Sequence, residues 1–88
     1  MDEEVEKIRI GRISHFYSKI SVAVIELEDT LNVGDTISIE GHETNFTQVV
    51  DSMQIEHGNV ETAKKGQSIG LKTSERVREN DIVYKVIE

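Results

Sequence analysis

The chain has 88 residues with neither cysteine nor proline, and its 17 acidic against 10 basic side chains give a net charge of −7. That length predicts one domain near the small end of what folds without a staple; zero cysteines exclude a disulfide framework and a Cys-based zinc site and fit a reducing, cytoplasmic setting. The longest apolar run, Val22-Ala23-Val24-Ile25, is far short of the ~20 residues of a membrane helix, and the acidic balance removes the broad positive field behind non-specific nucleic-acid binding.

The opening Met1-Asp2-Glu3-Glu4 has the wrong charge for a secretory or mitochondrial signal. With Glu6 it reads as an acidic, poorly ordered tail over residues 1–7, ahead of a folded domain over 8–88. A first strand is predicted through Ile8-Arg9-Ile10-Gly11-Arg12-Ile13. Ile8 and Ile10 share a face and Ile13 has switched parity, so Gly11 marks a bulge or bend. A second strand runs from Ile20 to Leu27, its apolar residues changing parity between Val24 and Ile25, as a strand at a barrel corner does.

Leu31-Asn32-Val33-Gly34-Asp35 then reads as a tight turn. Gly34 supplies φ > 0, and Asp35 is placed to bond backbone amides. Ile37 and Ile39 alternate with Thr36, Ser38 and Glu40, the period of a half-buried third strand. Gly41-His42-Glu43 ends it. A longer fourth element is predicted from Phe46 to Glu56, His57-Gly58-Asn59 is a turn, and Val60 restarts the chain. Ala63-Lys64-Lys65-Gly66 is another turn before the strand Gln67 to Lys72. A polar crossing from Thr73 to Asp81 leads to the last strand, Ile82 to Ile87. No segment keeps a helical apolar spacing. Short strands with turns between them predict an all-β fold, a small closed or nearly closed antiparallel barrel of six or seven strands; closure would remove exposed edges.

Several of these pieces carry a family likeness. Gly11-Arg12-Ile13 resembles the G-R-V start of the second domain of elongation factor Tu-type translational GTPases, and Leu31 to Ile37 is similar to its L-x-V-G-D-x-V turn. Val50-Asp51-Ser52-Met53 falls where that family has a strand ending in Met. Ala63 to Leu71 resembles A-x-A-G-D-N-V-G-L, and Arg78 to Val83 the closing x-x-G-D-V-L, with Asn80 where glycine is usual. The likeness spans Ile8 to Val86 and implies a Greek-key barrel of the translation-factor type. Similar barrels also occur as the C-terminal accessory domain of collagenase-like peptidases.

The chain has no Gly-x-x-x-x-Gly-Lys-Ser/Thr loop, so no GTP binding in the P-loop manner is expected. No catalytic residue, metal ligand or cofactor is expected either. His15, His42 and His57 sit in separate turn-like segments without ligand spacing, and no Gly-x-Ser-x-Gly elbow frames a serine. Asp51 shares parity with Val49, Met53 and Ile55, which leaves open a buried acid with a raised pKa, a carboxylate turned outward by a bulge, or one capped by backbone. Asn45-Phe46-Thr47 matches a glycosylation sequon by coincidence in a cytosolic chain.

Lys72, Arg76 and Arg78 cluster around the polar crossing, with Lys64-Lys65 on a neighbouring turn. Phe16 and Tyr17 either cover the barrel end or form a stacking platform. Gly34, Asp35 and Gly66 are the structural turn residues. The resemblance makes the leading expectation a non-catalytic binding module for RNA or the translation machinery. Arg12, Lys72, Arg76 and Arg78, with the surface of the Gly66 to Leu71 strand, would be its contact residues. The alternative, favoured by the net charge, is a protein-interaction module that docks onto a separate enzyme such as a collagenase-like peptidase.

Overall fold

The computed structural model describes residues 6–87. Within them the chain forms ten strands: β1 Glu6–Tyr17, β2 Val22–Leu27, β3 Leu31–Asn32, β4 Thr36–Glu40, β5 Asn45–Val49, β6 Met53–Ile55, β7 Gly58–Val60, β8 Thr62–Ala63, β9 Ser68–Lys72 and β10 Ile82–Ile87. All pairings are antiparallel. Eight strands make one sheet in the order β5-β4-β10-β1-β2-β9-β6-β7, and β3 pairs with β8 separately. The all-β prediction therefore holds, while of the closed or nearly closed barrel of six or seven strands the full closure is not confirmed: the main sheet has eight strands, β5 and β7 are its two ends, and no ladder joins them. The sheet curls around a single core, and two smaller devices bridge the gap. One is the β3–β8 pair, with Leu31 opposite Ala63. The other is the Gln48 amide, which donates to the Lys72 carbonyl and accepts from the Ser74 N–H. That side chain stands where a ladder between β5 and the end of β9 would run.

The strand signal at Gly11 is a true bulge. In the β1–β10 ladder Arg9 pairs with Tyr84 and Gly11 with Val83, leaving Ile10 as the inserted residue. Ile8, opposite Lys85 and through it Ile37, stays on the inner face with Ile10 as their parity predicts; it lies toward the end of the sheet and is 48% exposed, while Ile10 is buried. A second shift, between Ile13 and His15, bends β1 again against β2. Residues 1–5 of the predicted tail lie outside the described residues. Glu6 and Lys7 are already strand, opposite Ile87 and Val86.

Three corrections follow from burial. First, β2 does not change parity: Ala23, Ile25 and Leu27 are buried while Val22 and Val24 face outward. Second, the single element predicted from Phe46 to Glu56 is two strands, because Val50 leaves the ladder to enter the core and Val49 is exposed. Third, the turn predicted at His57-Gly58-Asn59 lies one residue earlier. Glu56 and His57 are its two central residues, both at positive φ (50° and 69°), and Gly58 already belongs to β7. The polar crossing also hides a core residue, Val77.

One four-residue turn recurs three times, at Asn32-Val33-Gly34-Asp35, Lys64-Lys65-Gly66-Gln67 and Arg78-Glu79-Asn80-Asp81. In each, the fourth residue's N–H donates to the first residue's carbonyl, at 3.0, 3.1 and 3.1 Å. Its side-chain oxygen accepts from the first residue's N–H, at 2.9, 2.7 and 2.9 Å. The third residue has positive φ: 98° at Gly34, 90° at Gly66 and 75° at Asn80. Each turn also clasps one buried residue through two backbone bonds. Gly34 N–H donates to the Val50 carbonyl while Val50 N–H donates to Asp35, and the same exchange binds Leu27 to Gly66 and Gln67, and Ile13 to Asn80 and Asp81. A strand starts directly after each turn. This is the physical content of the recurring Gly-Asp-like signals in the sequence.

The left-handed position sets a prediction. Nothing lies within 4 Å of a Cβ at Gly34 or Gly66, so alanine there meets no clash and the penalty is conformational, about 1 kcal/mol. Gly58 lacks positive φ and should lose less. Asn80→Gly should be neutral or slightly stabilising. Urea midpoints of the four variants check this, and an equal loss at Gly34 and Gly58 would remove the special status of the turn.

Candidate functional site

The outer face of the sheet divides into two zones. Around β1, β10, β4 and the C-terminal half of β2 it is laced with cross-strand ion pairs. Arg9 reaches Glu28 at 3.0 Å, Arg12 reaches Glu26 at 3.3 Å, and Lys7 pairs with Glu40 while lying 5.8 Å from the Tyr84 ring centre. Partly exposed pairs of this kind contribute about 0–1 kcal/mol each, and they match six of the charged side chains on this face to one another.

Glu40 differs from the other acids. The Lys7 ammonium bonds it first of all, and the hydroxyl of the buried Ser38 donates to it as well. Together these hold its carboxyl below the ordinary range against a smaller opposing effect of burial. A carboxyl lowered by folding stabilises the native state above its unfolded pKa, about 4.3, and that contribution is lost as the pH falls through the folded value. Wild type should therefore lose more stability between neutral pH and about pH 3 than Glu40→Gln, read as the difference in urea midpoints. Parallel losses would refute the coupling.

The second zone lies where β2 leaves its first turn. Because Ala23 and Ile25 point into the core, Val22 and Val24 emerge on the outside, beside Tyr17 at the end of β1 and Ile20 in the turn. Tyr17 is 51% and Ile20 58% exposed. Gly70 pairs with Val24 on one side and with Gln54 on the other. With no side chain between these strands, the surface sinks into a groove of about 430 Å³. Glu56 and His57 line its far side. Two-residue hairpins of that geometry favour Asn-Gly because both central residues need φ > 0; here two larger polar side chains are held over the groove at a backbone cost.

The residues singled out from sequence are placed as follows. Arg12 and Arg78 are each matched by an acid, Glu26 and Glu43, the latter at 2.7 Å. Lys72 lines a separate polar groove with Gln48, Asp51 and Ser74, and Arg76 is exposed on the crossing. Gly34, Asp35 and Gly66 lie in the repeated turns, with Asp35 also 3.5 Å from the Lys85 ammonium. Asp51 is exposed, which decides for the outward-turned carboxylate. Phe16 packs against the core while Tyr17 stays outside it. His15 stands 3.4 Å from Glu79, with its ring 4.3 Å from that of Tyr17. Among the described residues, no three His, Asp or Glu side chains converge in a way that could hold a metal, and no helix is long and apolar enough to cross a membrane. Of the Gly66 to Leu71 surface, Ser68, Ile69 and Gly70 line the apolar groove. The cluster around Ile20 was missed, although the spacing of Ile20, Val22 and Val24 carries it.

The curled, open all-β sheet is a known domain type. Its backbone superposes on the C-terminal domain of a candidate U32 peptidase of Geobacillus thermoleovorans with a TM-score of 0.83, at 21% identity, over 89% of this chain and 91% of that one. The selenomethionine variant of that domain gives 0.81 at 19% identity. In sequence, the chain is 53% identical over 83 residues to an uncharacterized protease of Methanocaldococcus jannaschii, and 37% identical over 82 residues to a collagenase of Porphyromonas gingivalis. These alignments cover 93% and 91% of this chain but 20% of each relative, so the chain spans about a fifth of their length. No protein-family model matches it.

These findings support the likeness to the collagenase-like peptidases and not the likeness to the second domain of elongation factor Tu. They also overturn the expectation of a binding module for RNA or the translation machinery. The physical reason agrees with the relatives: Arg12 and Arg78, half of the expected contact set, are held by acids on a chain of net charge −7. The motifs shared with the translation factors are turn and bulge chemistry, which recurs wherever a small β fold needs it.

Proposed function

We infer that this chain is a non-catalytic docking module, which packs onto the catalytic part of a collagenase-like peptidase. The observation that carries this is the 53% identity across nearly the whole chain to one fifth of a protease. The remaining four fifths of that relative is then the place for the hydrolytic chemistry. A cytoplasmic setting belongs to the same reading, supported by the lack of cysteine.

Because the chain has no cysteine, single cysteines introduced on each face report accessibility through their rate of maleimide labelling. The chain is compared alone and after replacing its 83-residue counterpart in the M. jannaschii relative. At least one face should become protected in the composite protein, and the isolated chain should not cleave gelatin. Equal labelling on every face, or gelatin hydrolysis by the isolated chain, would overturn the reading.

A further inference from the structure

We propose that the groove bounded by Tyr17, Ile20, Val22 and Val24 is the surface that meets the catalytic part of the peptidase, and that its occupant is an apolar segment with a polar flank. This rests on the docking-module reading above and assigns its contact face. The two-zone division of the sheet is the first argument. One zone satisfies its charges internally through Arg9–Glu28, Arg12–Glu26 and Lys7–Glu40, and offers a partner little unmet chemistry. The other holds side by side the two most exposed large hydrophobics among the described residues, Tyr17 and Ile20, each more than half exposed; Ile8, Val33 and Val49, also exposed, do not line it. Exposed apolar side chains gathered in one concave place are a feature of contact sites.

The backbone supplies the second argument. Gly70 sits mid-strand without positive φ, so the turn chemistry that requires glycine elsewhere in this chain is absent here. A Cβ added at Gly70 would lie 3.6 Å from Val22 Cγ1, an ordinary contact. The fold tolerates a side chain at that position; what a side chain would destroy is the groove. Across it, Glu56 and His57 hold left-handed conformations that a glycine would relieve, and backbone strain kept at a surface cleft is characteristic of binding sites. Their carboxylate and imidazole set the chemistry of the flank: a donor or cation for Glu56 and a carboxylate or carbonyl for His57. The third argument concerns the occupant. Four fifths of each matched relative lies outside this segment, and a surface from that polypeptide is available to cover the groove whenever the module is in place.

The same labelling experiment, read site by site, tests the assignment. Ile20→Cys in the composite protein should react with maleimide at least ten-fold more slowly than in the isolated chain, while Lys65→Cys, on the turn before β9, should react equally in both. Adding Gly70→Lys to the composite should restore fast labelling at Ile20→Cys, without lowering the Tm of the isolated chain by more than a few degrees. Protection at other faces with none at Ile20 overturns this proposal and leaves the docking reading standing; protection nowhere overturns both. If Ile20→Cys is already protected in the isolated chain, in proportion to protein concentration, the occupant is a second copy and the proposal fails.

Discussion

Ile25→Ala should remove about 2–5 kcal/mol of stability, and Val24→Ala, one residue away on the same strand, less than about 1 kcal/mol. Ile25 is fully buried between β1 and β9, opposite Ile13 and Ile69. Truncation there loses the transfer free energy of its side chain and leaves a cavity that the packed sheet fills only in part. Val24 faces the groove instead, where water or a partner replaces what is lost. For a domain of this size each kcal/mol lowers Tm by about 4–8 °C, so paired thermal melts separate the two outcomes easily. Equal losses would mean that β2 is turned the other way and that the apolar groove does not exist as described.

That pair of residues also shows where sequence reasoning stops. A run such as Val22-Ala23-Val24-Ile25 is apolar on both faces, so period-2 alternation cannot say which face is inside. The cross-strand partners decide it: Ala23, Ile25 and Leu27 face inward, and Ala23, small as it is, counts among the core. Turns were far more legible, because Gly34, Gly66 and Asn80 are demanded by local dihedral angles and the residue after each closes its turn by a hydrogen bond three residues back. Val77 was lost inside a stretch that reads as polar from Thr73 to Asp81, where no neighbour shares its character. The candidate groove was legible only in fragments. Gly70 fell within the expected contact strand, but its role as the floor depends on Val24 and Gln54 standing on either side, which is a pairing fact. Whether the barrel closes fully was illegible for a similar reason: nothing local announces that Val50 leaves β5 to be clasped by Gly34 and Asp35, and no ladder joins β5 to β9.

The second large effect is expected at Gly11. A Cβ built there lies 2.6 Å from the carbonyl oxygen of Glu26 and 3.0 Å from Ile25 Cγ2. The first is backbone in the β2 ladder and has no rotamer to change, so Gly11→Ala must push β1 and β2 apart at the bulge, where Gly11 pairs with both Leu27 and Val83. Overpacking of that kind costs about 1–3 kcal/mol, more than the conformational penalty at Gly34, which clashes with nothing. Gly70→Ala is the internal control, since its Cβ meets only an ordinary contact with Val22. Stability should fall in the order Gly70→Ala, Gly34→Ala, Gly11→Ala, from least to most damaging, by urea midpoint. If Gly11→Ala were no worse than Gly70→Ala, the close approach of β1 to β2 at the bulge would be wrong. The order also bears on the Gly11-Arg12 likeness to translation factors. A glycine required by the Glu26 carbonyl, followed by an arginine matched to the Glu26 carboxylate, is accounted for by the packing of two strands and needs no shared ligand.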